Sequence, residues 1–225
     1  MIDENSKVFA LELLKGELLE GGERVRQEYL NHFVKEINEF AEVMSNAYLS
    51  WKKLDSEISK TEEKAYISAL LFGTINLHTI SMKLLINGFF IPAGNSQRQA
   101  LESAAMALLC SKPSLEFLKK YMKGQYSSNK AVRDVVKHHK KLGLNREALK
   151  SLEKNRTFYD KFSHPTHMTI AASIGMAKPG RLDFGTAFDE AKLPFYAKEI
   201  NSKVNFAKII SNIVERVKNN LESDI

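Results

Sequence analysis

Ala65-Tyr66-Ile67-Ser68-Ala69-Leu70-Leu71-Phe72-Gly73-Thr74-Ile75-Asn76-Leu77-His78-Thr79-Ile80-Ser81-Met82, followed shortly by Asn87-Gly88-Phe89-Phe90-Ile91-Pro92-Ala93-Gly94-Asn95, is the stretch that decides the fold. Apolar residues fall on nearly every side of the first segment, as in a helix packed by neighbours on most faces. Thr61 is positioned to cap it, with Glu62 and Glu63 in the first turn. Gly88 ends it, because glycine takes the left-handed conformation without strain. Asn95 or Ser96 is then expected to cap a second helix carrying Ala100, Leu101, Ala104, Ala105, Leu108 and Leu109, whose small residues permit close approach. A link this short makes the two helices antiparallel neighbours. The expected fold is all-α, a single-domain multi-helix bundle around a central antiparallel helical hairpin from roughly Glu62 to Leu109.

Working outward, Val8, Leu11, Leu14 and Leu18 space like one face of a helix over 7–19, ended by Gly21-Gly22. A longer helix follows, with Val25, Tyr29, Phe33, Ile37, Phe40, Met44 and Leu49 inward and acids and lysine outward. Beyond the hairpin, Pro113 opens a short segment, and Ser127-Ser128 precedes a basic helix expected over Asn129–Leu142 and closed by Gly143. Asn145 starts another helix towards Phe162, which Pro165 interrupts. The stretch from Ser173 to Pro194 holds Gly175, Pro179, Gly180, Gly185 and Pro194, so it reads as one long loop. A last helix is expected over 195–221, with Ile200, Val204, Ala207, Ile210, Val214 and Val217 inward.

A chain of 225 residues is ample for one core and short for two, and 44% hydrophobic with 27% charged residues is an ordinary globular composition. The single cysteine, Cys110, excludes an intrachain disulfide and any cysteine-based zinc site. The uncharged run from Ala65 to Met82 has the length of a membrane span, but Gly73, Asn76, His78 and its hydroxyls would all need desolvation in lipid. A buried core helix is expected instead, with no membrane partner. Met1-Ile2-Asp3-Glu4-Asn5 lacks the basic-then-apolar order of a signal peptide, and a cytoplasmic location is expected.

The formal charge of +6 is unevenly placed. Between Lys112 and Lys161 fourteen Lys or Arg stand against five Asp or Glu, so the rest of the chain is net negative. Clustered cations raise the local concentration of phosphates, and a solvated basic surface without a partner is the alternative. Tyr121, Tyr126, Phe158, Tyr159 and Phe162 interleave with this region, where they could stack on unpaired bases or simply belong to the core.

Within the expected basic helix lies Arg133-Asp134-Val135-Val136-Lys137-His138. This resembles the arginine, polar residue, three spacers, histidine pattern of the HEPN superfamily, small helical domains that include metal-independent endoribonucleases acting as dimers. The resemblance implies that Arg133 and His138 engage the scissile phosphate and the attacking ribose 2′-hydroxyl. Five residues along a regular helix set two side chains about 140° apart. Both therefore meet one phosphate only if the helix is irregular or a second subunit completes the site. His139 is an alternative partner to His138, and Lys130, Lys137, His139, Lys140 and Lys141 are the candidate nucleic-acid contacts.

Gly88 to Glu102 also resembles bacterial HEPN-like families of unknown function, which pair a glycine-ended apolar helix with a helix carrying an arginine and, four residues on, a glutamate. Tyr159-Asp160-Lys161-Phe162-Ser163-His164-Pro165 is similar to a later tyrosine, hydroxyl, histidine segment of such families. Together these segments cover roughly a third of the chain, a fold-level likeness. Arg98 and Glu102 sit one turn apart beside Leu101 and Ala105, and His78 shares a face with Leu71, Ile75, Met82 and Leu85. A buried polar cluster of His78, Arg98, Glu102 and His164 is thus a second candidate site, or a hydrogen-bond network that fixes the hairpin's register. His164 and His167 could share a metal with Asp160 or Asp183, but no further spacing supports this, and neither metal nor cofactor is expected.

Glycine-rich phosphate loops, Gly-x-Ser-x-Gly elbows and His-Glu-x-x-His helices are all missing from the sequence. The expected function is binding of RNA or nucleotide phosphates by a HEPN-like homodimer, including a metal-independent endoribonuclease of toxin or phage-defence type. The alternative is a non-enzymatic helical interaction module, of accessory or immunity type, whose loop at Ser173–Pro194 meets a protein partner.

Overall fold

The computed structural model describes residues 4–19, 22–58, 61–176, 182 and 185–223. Among them the chain is all-α: α1 (Glu4–Leu19), α2 (Glu23–Glu57), α3 (Glu62–Ile86), α4 (Phe90–Cys110), α5 (Phe117–Met122), α6 (Ala131–Lys137), α7 (Arg146–Asp160), α8 (His167–Ser173) and α9 (Leu193–Glu222). The expected loop at 173–194 is described only in part. It holds an isolated antiparallel bridge between Ile174 and Leu182 and a 3-10 turn at Glu190–Lys192, while Pro179, Gly180 and Asp183 lie outside the described residues.

The hairpin forms as expected, and α3 on α4 is the most extensive helix pair. Thr61 accepts a hydrogen bond from the Lys64 amide at the start of α3. At its end the Phe89 amide donates to the Leu84 carbonyl and the Gly88 amide to Leu85, both at 2.9 Å, with Gly88 at φ +84°. That pair of bonds is a Schellman closure, and it leaves a turn of only Asn87–Phe89. Helix α4 accordingly starts at Phe90, earlier than a cap at Asn95 implies. Pro92 falls in its first turn, where a missing N–H costs nothing and the fixed φ suits the helix.

Small residues let the two helices approach closely. Ser81 Oγ donates to the Ala93 carbonyl and Ser103 Oγ to the Leu70 carbonyl, both at 2.7 Å, so each helix hydrogen-bonds the other's backbone. Helix α9 packs along α2, and both reach α3, completing a four-helix core. Behind α4 lie α6 and α7. Gly94 faces the Phe162 ring so closely that a Cβ there would enter it.

Three expectations differ from what is seen. Helix α3 is not covered on all sides, because Tyr66, Phe72 and Ile80 are exposed on its outer face. Helix α1 forms, yet none of its residues is buried, and Phe9 and Leu18 are 71% and 80% exposed. The basic helix is short: α6 ends at Lys137, and 138–144 continue as turns closed by Gly143 at φ +63°. Lys137, Lys140 and Lys141 would stack like charges one turn apart in a continuous helix, which opposes its extension.

Candidate functional site

Helix α6 continues directly from a 3-10 turn at Ser128–Lys130. Ala131, Val132 and Val135 are buried on its inner side, which packs on α4 and α7. Lys130, Arg133 and Lys137 are exposed, and their spacing of three and four residues places them on one outer face. Lys140 and Lys141 follow in the turn, also exposed. Among the described residues none of these five cations has a carboxylate within ion-pair distance. The nearest acid in sequence, Asp134, accepts a hydrogen bond from Tyr126 Oη at 2.6 Å.

His138 caps the C-terminus of α6, half-buried and edge-on to Phe117 with ring centroids 5.5 Å apart. Burial first, then the charge of Lys137, holds its pKa below the usual histidine value. His139 is half-buried, and its Nδ1 donates to the Val136 carbonyl at 3.0 Å. The aromatic residues expected to offer stacking do not stand free. Tyr159 and Phe162 are buried, and Tyr121, Tyr126 and Phe158 pack against the core.

The second expected cluster is divided between two networks. Arg98 Nε donates to Glu102 Oε1 at 3.0 Å and lies 3.1 Å from Asp160 Oδ1, while its Nη1 donates to Ser163 Oγ at 2.6 Å. Asp160 also pairs with Arg156 at 2.8 Å. Two guanidinium groups thus meet two carboxylates between α4 and α7, a balanced set with no free charge to offer an anion. The Ser163 to Tyr159 segment belongs to this junction, but the His164 side chain points to solvent and only its carbonyl bonds inward, to Thr169 Oγ1.

His78 instead lies fully buried between α4 and α9. Its Nε2 is 2.9 Å from the Lys203 carbonyl and its Nδ1 is 2.7 Å from Gln97 Oε1. Two acceptors on one ring would require an imidazolium, which burial beside Lys203 opposes by lowering the pKa to about 3. Gln97 Oε1 also lies 3.5 Å from Lys203 Nζ, so the same amide oxygen is shared between the His78 ring and the ammonium. Lys203, itself without solvent exposure, is 3.2 Å from Glu199 and donates to Ser81 Oγ. Tyr159 Oη donates to Glu199 Oε1 at 2.8 Å, and the ammonium lies 5.6 Å from the Tyr159 ring centre. Desolvation lowers the Lys203 pKa and Glu199 opposes the shift.

Lys203, Glu199, Gln97 and Ser81 were not among the expected site residues, although a signal existed. Glu199 and Lys203 fall between Tyr196, Ile200, Ala207 and Ile210 on the inward face of α9, where a charge must carry its own partner. His164 and His167 are both exposed, and among the described residues no group of three or more His, Cys, Asp or Glu side chains could hold a metal. The Cys110 thiol is buried and its pKa is pushed up to about 12, the character of an inert core residue. Comparison with protein-family models, curated proteins and solved structures found no match, so the HEPN likeness rests on these residues alone.

Proposed function

We propose that this is a HEPN-like helical protein that binds RNA or nucleotide phosphates through Lys130, Arg133 and Lys137, with Lys140 and Lys141 extending the contact. The observation that carries the reading is this exposed cation row on the outer face of α6, which lacks carboxylate partners among the described residues. Unpaired exposed cations release no internal ion pair on binding, so each can neutralise a phosphate at little cost. With the neighbouring aromatics packed inward, contact runs through the backbone phosphates and not through base stacking.

The finer form of the proposal is metal-independent cleavage by a homodimer. His138, its pKa lowered by burial, accepts the 2′-hydroxyl proton as the 2′-oxygen attacks phosphorus, the 5′-oxygen leaves with a proton from water, and Arg133 neutralises the developing charge. No hydrogen bond joins Arg133 to His138, and regular helical spacing turns them apart, so a second subunit would complete the site. The test measures binding and product formation with labelled single-stranded RNA. The triple variant Lys130→Ala, Arg133→Ala, Lys137→Ala should lose binding, while His138→Ala should bind and fail to cleave. Wild-type protein that neither binds nor cleaves RNA at low salt removes the proposal.

A separate observation bears on the second copy that the cleaving form calls for, and equally on the rival reading of a helical interaction module. Helix α1 buries nothing, yet presents Val8, Phe9, Leu11, Leu14, Leu18 and Leu19, and the outer face of α3 presents Tyr66, Phe72 and Ile80. An isolated helix of this length is marginal in water, so α1 gains most by covering such a face on a second copy. Leu11→Glu with Leu14→Glu should convert a dimer to a monomer in light scattering while leaving the melting temperature of the body unchanged. A wild-type monomer at micromolar concentration would contradict this.

A further inference from the structure

The chain holds a second withdrawn lysine, and it sits in the wall of a cavity. Lys192 closes the 3-10 turn before α9 and is only 8% exposed. Its ammonium donates to the Ala172 carbonyl near the end of α8 at 3.1 Å. No carboxylate pairs with it among the described residues. The nearby Asp189 does not serve that role, because its two oxygens accept the backbone amides of Ala191 and Met176 at 3.0 and 2.6 Å. One hydrogen bond leaves two ammonium donors without an acceptor among the described residues, in a setting where an uncompensated charge is costly.

The cavity that Lys192 borders is an open cleft of about 410 Å³, within the range of small-molecule sites. Phe90, Ile91, Met168 and Phe195 make its apolar wall, where the start of α4 meets α8 and the start of α9. Apolar volume beside a single buried cation specifies the ligand by class. The body must be hydrocarbon or aromatic, and the head must carry one negative charge. A dianionic phosphate would bring a second charge that no other cation among the described lining residues balances.

We infer that this cavity binds a small amphipathic carboxylate, its apolar body between Phe90, Ile91, Met168 and Phe195 and its carboxylate on the Lys192 ammonium. The site is separate from the basic face of α6 and does not depend on how that face is read. An aliphatic or an aromatic acid carries the same chemistry, and the two are separated by probes. Titration calorimetry of the full chain would use decanoate and naphthoate, with decanol and decylammonium as controls.

At least one of the two carboxylates should bind, and more tightly than decanol by about ten- to a hundred-fold, with decylammonium weakest. Lys192→Met should bring that carboxylate down to the level of the alcohol while leaving the alcohol's affinity unchanged. Retained decanol binding shows that the Lys192 variant has folded, and Ala171→Phe, which fills the cavity and keeps the ammonium, should abolish binding of carboxylate and alcohol alike. Equal affinity for the carboxylates and decanol, retained carboxylate binding in Lys192→Met, or no binding by either carboxylate would each overturn the inference.

Discussion

Three lysine environments in this chain differ in what compensates the charge, and the difference sorts structure from function. Lys203 has Glu199, the Ser81 hydroxyl and the Tyr159 ring around it, a closed account that stabilises the core and leaves nothing to bind. Lys192 has one carbonyl and a cavity. Lys130 and Lys137 are exposed, with no carboxylate partner among the described residues. The His78 network also has a pH signature. Folded His78 resists protonation down to about 3, whereas the unfolded side chain titrates near its ordinary 6.5. Its stabilising contribution is therefore complete above pH 6.5 and lost as pH falls from there towards 3, at a limiting slope of about 1.4 kcal/mol per unit. Urea unfolding of wild type and His78→Gln should show a stability gap at neutral pH that narrows with acid. A gap independent of pH would mean that His78 takes up its proton at the same pH in the folded chain as in the unfolded one.

At the scale of the element, the α3–α4 junction depends on the absence of side chains. Gly94→Ala would press a Cβ into the Phe162 ring, which itself packs on Phe90 at 5.2 Å and on Tyr159 at 5.6 Å between centroids. Overpacking of this kind costs about 1–3 kcal/mol, read as a lower urea midpoint, and Phe162→Leu in the same chain should recover part of it. A neutral Gly94→Ala would show that the ring moves freely. Most of this hairpin was legible in the sequence, because Thr61, the apolar run and Gly88 are local signals that agree with one another. The start of α4 was less so: Asn95 looks like a cap, but it instead accepts from Ser163 Oγ, a partner distant in sequence. The length of α6 was misread for a different reason. No Gly or Pro interrupts Asn129–Leu142, yet the helix ends at Lys137, where the weak helix formers His138 and His139 meet crowded lysine charge and Leu142 is buried from the following turn.

Across the whole molecule, an apolar bundle of α2, α3, α4 and α9 carries a basic region from Lys112 to Lys161, which spans α5, α6, α7 and the turns between them. The candidate residues were partly legible as a cation cluster, since charge and spacing survive translation into structure at Lys130, Arg133 and Lys137. The four-residue cluster of His78, Arg98, Glu102 and His164 was not, because consecutive residues Gln97 and Arg98 serve opposite sides of α4. The central claim is that the α6 face holds phosphates. Its most direct test is the affinity of the full chain for single-stranded RNA as a function of salt. With three to five phosphates neutralised, affinity should fall by about 20- to 100-fold between roughly 50 and 200 mM salt, and the slope should flatten in the Lys130→Ala, Arg133→Ala, Lys137→Ala variant. A wild-type slope that the triple substitution leaves unchanged would contradict the account.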